Sequence, residues 1–258
     1  MGNADPRPAT VGELVERHLG GVHWFCLRMG LRADEAAQAC FETFARASAG
    51  TAPAALAAER LWLLKIAAHV VGLRLPATPE VSFALLDEML RSEATRTGEA
   101  ASPTDSARRE RLLWELKQGC LTAVLGCLPP GERVAFVLSS VMALSDEDAA
   151  RALGITPGAL KVRLSRARKK VGDYLAPRCE HVDPRNPCRC PSRLGVALRN
   201  GFIAPPARAE VSLRALPTFD EQQHLHDAVA IYRTLPEPEP TEALRARIAA
   251  AVASGAWL

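Results

Sequence analysis

Residues Ser145 to Lys170 read SDEDAARALGITPGALKVRLSRARKK. Ser145 is a helix N-cap residue, and Asp148 stands three positions on, as in a capping box. The helix they begin is short and ends at Gly154, a residue free to adopt the left-handed turn. Thr156 caps a second helix and Pro157 fills its first position, where a missing N–H costs little. Within that second helix Leu160, Leu164, Ala167 and Val171 recur at helical spacing as one apolar stripe. Lys161, Ser165, Arg168 and Lys169 point away from the stripe, with Arg166 on its far side. Between Asp148 and Asp173 stand Arg151, Lys161, Arg163, Arg166, Arg168, Lys169 and Lys170, and no acid. A helix with one apolar face and one basic face, entered through a tight turn, is a helix-turn-helix. Its cations suit a major groove, where they neutralise phosphates and read guanine edges. The pattern selects Thr156, Gly158, Lys161, Arg163, Ser165, Arg166, Arg168 and Lys169 as DNA-binding residues.

Upstream, LPPGERVAFVLSSVMALS runs from Leu128 to Ser145. Pro129 and Pro130 stop one helix, and Glu132 to Ala143 resumes another. From Leu128 to Val171 the sequence closely resembles region 4 of the sigma-70 family of bacterial transcription initiation factors, in its short, extracytoplasmic-function form. The resemblance runs for about 45 residues without a gap. It implies a module that grips the flap of RNA polymerase and reads the −35 promoter element.

The N-terminal part resembles the family's region 2 in places. ADEAAQACFETFARA, Ala33 to Ala47, is similar to the clamp-binding helix, and Glu35, Gln38 and Phe41 fall where that pattern has an acid, a Gln and a Phe. The resemblance makes these three the polymerase-binding residues, and Phe41 reads as core packing in any case. RLWLLKIAAHVVGLRL, Arg60 to Leu75, is similar to the next helix, with Trp62, Leu63, Ile66, Ala67 and Val70 on its apolar face. The family usually carries Arg, Asn and Asp-Arg near the end of this helix. Here the matching residues run from Ala68 to Leu75 and then Pro76, so the groups that hold a melted −10 strand are mostly missing. His69 and Arg74 are the only local candidates, and each reads also as an ordinary surface residue.

Composition fits a soluble helical protein. Hydrophobic residues are 48% of the 258, but aromatics only 5%, and Ala and Leu dominate. Net charge is +3, so the basicity is concentrated in one helix rather than spread. No apolar run reaches membrane-spanning length, and MGNADPRPAT lacks a signal-peptide core. A cytoplasmic chain with no membrane contact is expected. No phosphate-cradling glycine loop, HExxH or Gly-x-Ser-x-Gly is present, so no enzyme is expected.

Breaks in the pattern divide the chain. Residues 1–10 read as disordered. A region 2-like helical domain spans 11–75. A linker covers 76–108, with an apolar segment at Val81 to Leu90 that suits a helix and a small, polar stretch from Ser92 to Ala107. A region 4-like helix-turn-helix domain spans 109–175, opening with a helix from Arg109 to Cys127 that turns Leu112, Leu113, Leu116, Cys120, Val124 and Leu125 inward. A Cys-rich and helical extension covers 176–258. The fold expected is all-α: two small helical domains joined by a flexible tether, plus a helical tail. A tether raises the effective concentration of the second contact once the first forms.

The tail opens with CEHVDPRNPCRC, which places Cys179, His181, Cys188 and Cys190 within twelve residues. Three Cys and one His form a tetrahedral zinc set, and soft thiolates also take copper(I). Both close pairs have one intervening residue, tighter than the usual spacing, so a redox pair or an inert loop stays open. Cys26, Cys40, Cys120 and Cys127 read as small buried residues, and His224 and His226 as surface. Further helices are expected at Arg193 to Asn200, Phe219 to Arg233 and Thr241 to Ala253, the last two joined by the stiff PEPEP connector, Pro236 to Pro240.

The sequence therefore favours a promoter-specificity subunit. Its partners would be core RNA polymerase and promoter double-stranded DNA, with room for a separate anti-sigma factor. No cofactor would be required beyond Zn or Cu in the Cys/His cluster, and the tail would regulate the factor. The alternative is a stand-alone helix-turn-helix transcription regulator, or a metal- or redox-sensing one with a degenerate region 2.

Overall fold

The computed structural model describes residues 8–79, 81–94, 106–203, 219 and 227–257. Helices are α1 (Val11–Arg28), α2 (Ala33–Ser48), α3 (Leu56–Gly72), α4 (Phe83–Ala94), α5 (Ser106–Gly126), α6 (Pro130–Phe136), α7 (Asp146–Leu153), α8 (Pro157–Leu175), α9 (Cys190–Arg199) and α10 (Glu242–Ser254). A π-helical segment, Val137–Val141, continues α6, and a 3-10 turn covers Ala230–Thr234. Among the described residues there is no β-strand, only an isolated bridge between Cys179 and Cys188. The protein is all-α.

The chain forms two compact units. The first comprises the described residues of Met1–Leu75, Leu144–Lys161 and Glu237–Leu258; the second those of Pro76–Ala143 and Val162–Pro236. Both are assembled from segments distant in sequence.

In the first unit α1, α2 and α3 pack on one another, joined by α7 and α10. Thr10 caps α1 in a full capping box with Glu13. Leu14, Phe25, Phe44, Leu63, Leu64, Val70 and Val71 are fully buried. The apolar face of α3 is wider than the sequence stripe: Leu64 and Val71 join Leu63, Ala67 and Val70 inside, while Trp62 and Ile66 are half-buried. Glu59 is buried at the start of α3 and accepts hydrogen bonds from Arg17 Nε and Nη2, at 3.1 and 2.9 Å, with His18 Nε2 at 3.0 Å. A buried carboxylate persists only with such partners.

In the second unit α5 is buried on nearly all sides. The expected Leu112, Leu113, Leu116, Val124 and Leu125 are inside, and so are Trp114 and Lys117. The reason is the tail: Leu194, Ala197, Ile203 and Phe219 form one core cluster with Leu112 to Leu116. Phe219 meets Trp114 edge-on with ring centres 5.4 Å apart. Tyr232 is wholly buried; its ring lies against Phe136, and its hydroxyl donates to the Leu121 carbonyl at 3.1 Å.

Several expectations needed adjustment. The helix foreseen at Glu132 to Ala143 is α6 followed by the π-helical segment. Ala143 then takes φ 56°, a left-handed conformation that no turn residue announces. The segment foreseen at Val81 to Leu90 is α4. Of the helix foreseen at Phe219 to Arg233, the described residues are Phe219 and 227–233, which lead into the 3-10 turn Ala230–Thr234. Residues 1–7, the middle of the polar stretch after Ser92, and His224 and His226 lie outside the described residues.

Candidate nucleic-acid interface

The turn that aims α8 is built as its residues dictate. Asp148 N–H donates to Ser145 Oγ at 3.0 Å, capping α7. Gly154 closes α7 at φ 63°, a conformation that a side chain would strain. Ala159 N–H donates to Thr156 Oγ1 at 3.2 Å, capping α8 above Pro157. The stripe Leu160, Leu164, Ala167 and Val171 is buried throughout, at 3% exposure or less.

The opposite face is open. Thr156, Gly158, Lys161, Ser165, Arg166, Arg168 and Lys169 are exposed, as is Val162. The cations differ in how they are held. Lys169 Nζ donates to Asp173 at 2.7 Å and Lys170 Nζ to Glu132 at 2.8 Å. Arg168 Nε donates to Ser140 Oγ at 3.2 Å. Arg163 is half-buried and lies over Gly131, where a Cβ would sit 3.4 Å from its Nη1. Lys161 and Arg166 make no ion pair with any described residue. They are the cations most available to an anionic partner.

On α2, Glu35 caps its own helix: Arg32 N–H donates to Glu35 Oε2 at 3.0 Å. Gln38 and Phe41 lie one turn apart, Gln38 exposed and Phe41 buried. At the end of α3, Arg74 pairs with Glu42 and donates to the Val70 carbonyl. That pairing, with Arg46 beside it, holds the Glu42 carboxyl below the usual range. His69 is exposed.

The second unit holds the cysteine cluster. Glu180 N–H donates to the Cys188 carbonyl at 3.1 Å and Cys188 N–H to the Arg178 carbonyl at 3.0 Å, so the loop between them closes on itself. Asn186 Nδ2 donates to the Ala176 and Cys179 carbonyls. The closure brings Glu180, His181 and Cys190 together, with one donor atom of each within 4.8 Å of the others. Cys190 Sγ stands 3.5 Å from His181 Nε2, and Cys190 N–H donates to Glu180 Oε1 at 2.6 Å. Cys179 and Cys188 lie outside that trio but line the same cavity of about 790 Å³, together with Lys117 and Cys120. Cys120 thus faces the cluster and is not one of the plain core cysteines; Cys26, Cys40 and Cys127 are buried as expected. Burial pushes the Cys179 thiol up to about 11 and Cys120 to about 12, and raises Cys190 well above its ordinary value. Burial also lowers the Lys117 amine to about 8, with its Nζ 4.9 Å from the Trp114 ring centre. Glu180 was not selected from sequence, because a carboxylate in a polar loop reads as a solvated charge. Its place between Cys179 and His181 was the available signal.

The family model for sigma-70 region 4 matches residues 118–171, a span that contains α6, α7 and most of α8. The chain is 26% identical over 165 residues to the ECF RNA polymerase sigma factor SigE of Mycolicibacterium smegmatis, covering 64% of this chain and 61% of the relative. It is 32% identical over 168 residues to the RNA polymerase sigma factor CarQ of Myxococcus xanthus, covering 63% of this chain and 87% of the relative. The chain belongs to the sigma-70 family, extracytoplasmic-function type. In this sigma factor the matched region 4 is the part that carries the exposed basic face of α8. No helix among the described residues is long and apolar enough to cross a membrane.

Proposed function

We propose that this sigma factor binds core RNA polymerase and directs initiation at specific promoters, with α8 lying in the major groove of the −35 element. The observation that carries this reading is the exposed basic face of α8, opposite a buried stripe and inside the span that matches region 4. Phosphate contacts by Lys161, Arg166, Arg168 and Lys169 would set register, and those reaching base edges would set sequence. Thr156, Gly158, Arg163 and Ser165 complete the reading surface. Glu35, Gln38 and Phe41 would meet the polymerase. The functional division would follow the order 11–75, 76–108, 109–175 and 176–258, and the work would be done in the cytoplasm. The role is recognition, not catalysis. Run-off transcription with purified core polymerase tests it: promoter-dependent transcripts are expected, and their absence on every promoter of a genomic library would overturn it.

One observation favours a second reading, a stand-alone regulator. Arg74, one of the two local candidates for holding a strand, is engaged by Glu42. DNA binding without core association would support that reading.

The tail cluster fits a metal ion. Bond lengths of about 2.3 Å to sulfur and 2.0–2.1 Å to nitrogen at a tetrahedral angle place the two donors about 3.5 Å apart. The Cys190 to His181 separation is 3.5 Å. His181, Cys190 and Glu180 would hold zinc, or copper(I) if the thiols of Cys179, Cys188 and Cys120 join. Bound metal would clamp the 179–190 loop and release thiol protons. Competition with a chromophoric chelator should show one metal per chain, and Cys190→Ser should weaken it at least tenfold; no retention by the parent would exclude the centre.

A further inference from the structure

The last helix of the chain covers the part of α2 expected to meet the polymerase. In the first unit α10 packs on α1 and α2, with Leu244, Ile248 and Ala251 buried beneath it. These three lie at i, i+4 and i+7, one face of a helix. Thr241 caps the helix, its hydroxyl accepting from Leu244 N–H at 3.2 Å. From its flank Arg247 Nη1 donates to Gln38 Oε1 at 2.8 Å. The Arg247 guanidinium stacks on Phe41 at 3.9 Å from the ring centre, and Trp257 lies against the same ring at 5.5 Å. Phe41 is 4% exposed. An aromatic that must enter a partner's groove cannot do so from beneath an arginine and a tryptophan.

We propose that α10 with Trp257 is an intramolecular competitor for the polymerase-docking face of α2. The inference rests on the reading of Gln38 and Phe41 as docking residues. The contact suits an exchangeable cover. It consists of three buried side chains, the Arg247 cation–π stack and the Trp257 ring on Phe41, and one exposed hydrogen bond, a small interface by the standard of stable assemblies. The cover is reached through Pro236 to Pro240, which form no regular structure, so its release breaks no other helix. Core polymerase must displace it, and the apparent dissociation constant rises by the inverse of the fraction uncovered.

The test uses the full chain and purified core polymerase, read by fluorescence anisotropy of a labelled sigma factor. Arg247→Glu with Trp257→Ala should tighten core binding about tenfold, as for a face uncovered in about one molecule in ten. A staple gives the opposite result. A Cβ added at Gly12 lies 3.4 Å from Val252 Cγ1, close to the spacing a disulfide spans. Gly12→Cys with Val252→Cys, oxidised, should weaken core binding at least tenfold, and dithiothreitol should restore it, while the parent is insensitive to either treatment. Unchanged affinity in both variants, with the parent still binding core, would overturn the covering role and leave the sigma-factor reading standing. Failure of the staple to form would show that the helix does not lie there, and also overturns the proposal. If no version binds core, the docking reading itself falls, and this inference with it.

Discussion

Neutralising Lys161 and Arg166 together should flatten the salt dependence of duplex binding by a calculable amount. Both side chains are on the open face of α8 and neither has an ion-pair partner among the described residues, so both are available to phosphates. Each phosphate contact contributes a slope of about 0.9 in log K against log salt. Lys161→Ala with Arg166→Ala should therefore reduce the slope by about 1.8. The same relation gives each contact a factor of about 8 at 0.1 M salt relative to 1 M, hence about 60-fold weaker binding, or roughly 2.4 kcal/mol. Lys170→Ala is the internal control. Its amine is engaged by Glu132 at 2.8 Å, so the slope should hardly change. The assay is anisotropy of a labelled −35 duplex titrated with the full chain from 50 to 400 mM KCl. A double variant whose slope equals the parent's would refute the reasoning, because α8 would then not lie along the phosphates.

Four further outcomes are expected. Gly154→Ala places a side chain at φ 63° and should cost about 1–2 kcal/mol in urea unfolding, while Ala143→Gly relieves a left-handed alanine and should gain up to about 1 kcal/mol. Ser145→Ala removes the α7 cap and should cost about 1 kcal/mol in the same measurement. Burial, and then the nearby Arg245, lower the affinity of His23 for a proton, so the unfolded chain binds that proton more tightly. The stability linked to His23 is complete above about pH 6.5 and falls as pH drops toward the lower folded value. Urea midpoints between pH 7.5 and 5 should show the decline, and His23→Gln should reduce it.

What could be read from the sequence was what neighbouring residues decide. The caps at Ser145 and Thr156, the turn at Gly154 and the stripe from Leu160 to Val171 follow from spacing within one or two helical turns. The fold class and the basic face followed with them. Burial created by distant segments could not be read so. Lys117 looks like a solvent-facing lysine of α5 until Phe219 and the tail pack on it. Leu64 and Val71 look like the flank of α3 until helices from elsewhere in the chain, α7 among them, pack on it. At the cysteine cluster, the sequence selected Cys179, His181, Cys188 and Cys190, whereas Glu180 and Cys120 enter through loop closure and through α5. The Gln38 to Arg247 bond joins residues 209 positions apart, a distance at which no local pattern carries information.

Ser140 is gripped from two sides. Its hydroxyl accepts from Arg168 of α8, and its carbonyl accepts from Arg233 of the tail at 2.9 Å. The Arg168 bond is to a neutral oxygen, weaker than the bond the same guanidinium would make to a phosphate. If Arg168 meets DNA as proposed, it trades serine for phosphate at little expense, and the trade frees the hydroxyl of a residue the tail also holds. A groove contact would in this way loosen a knot shared with the tail, making occupancy of the duplex perceptible far along the chain.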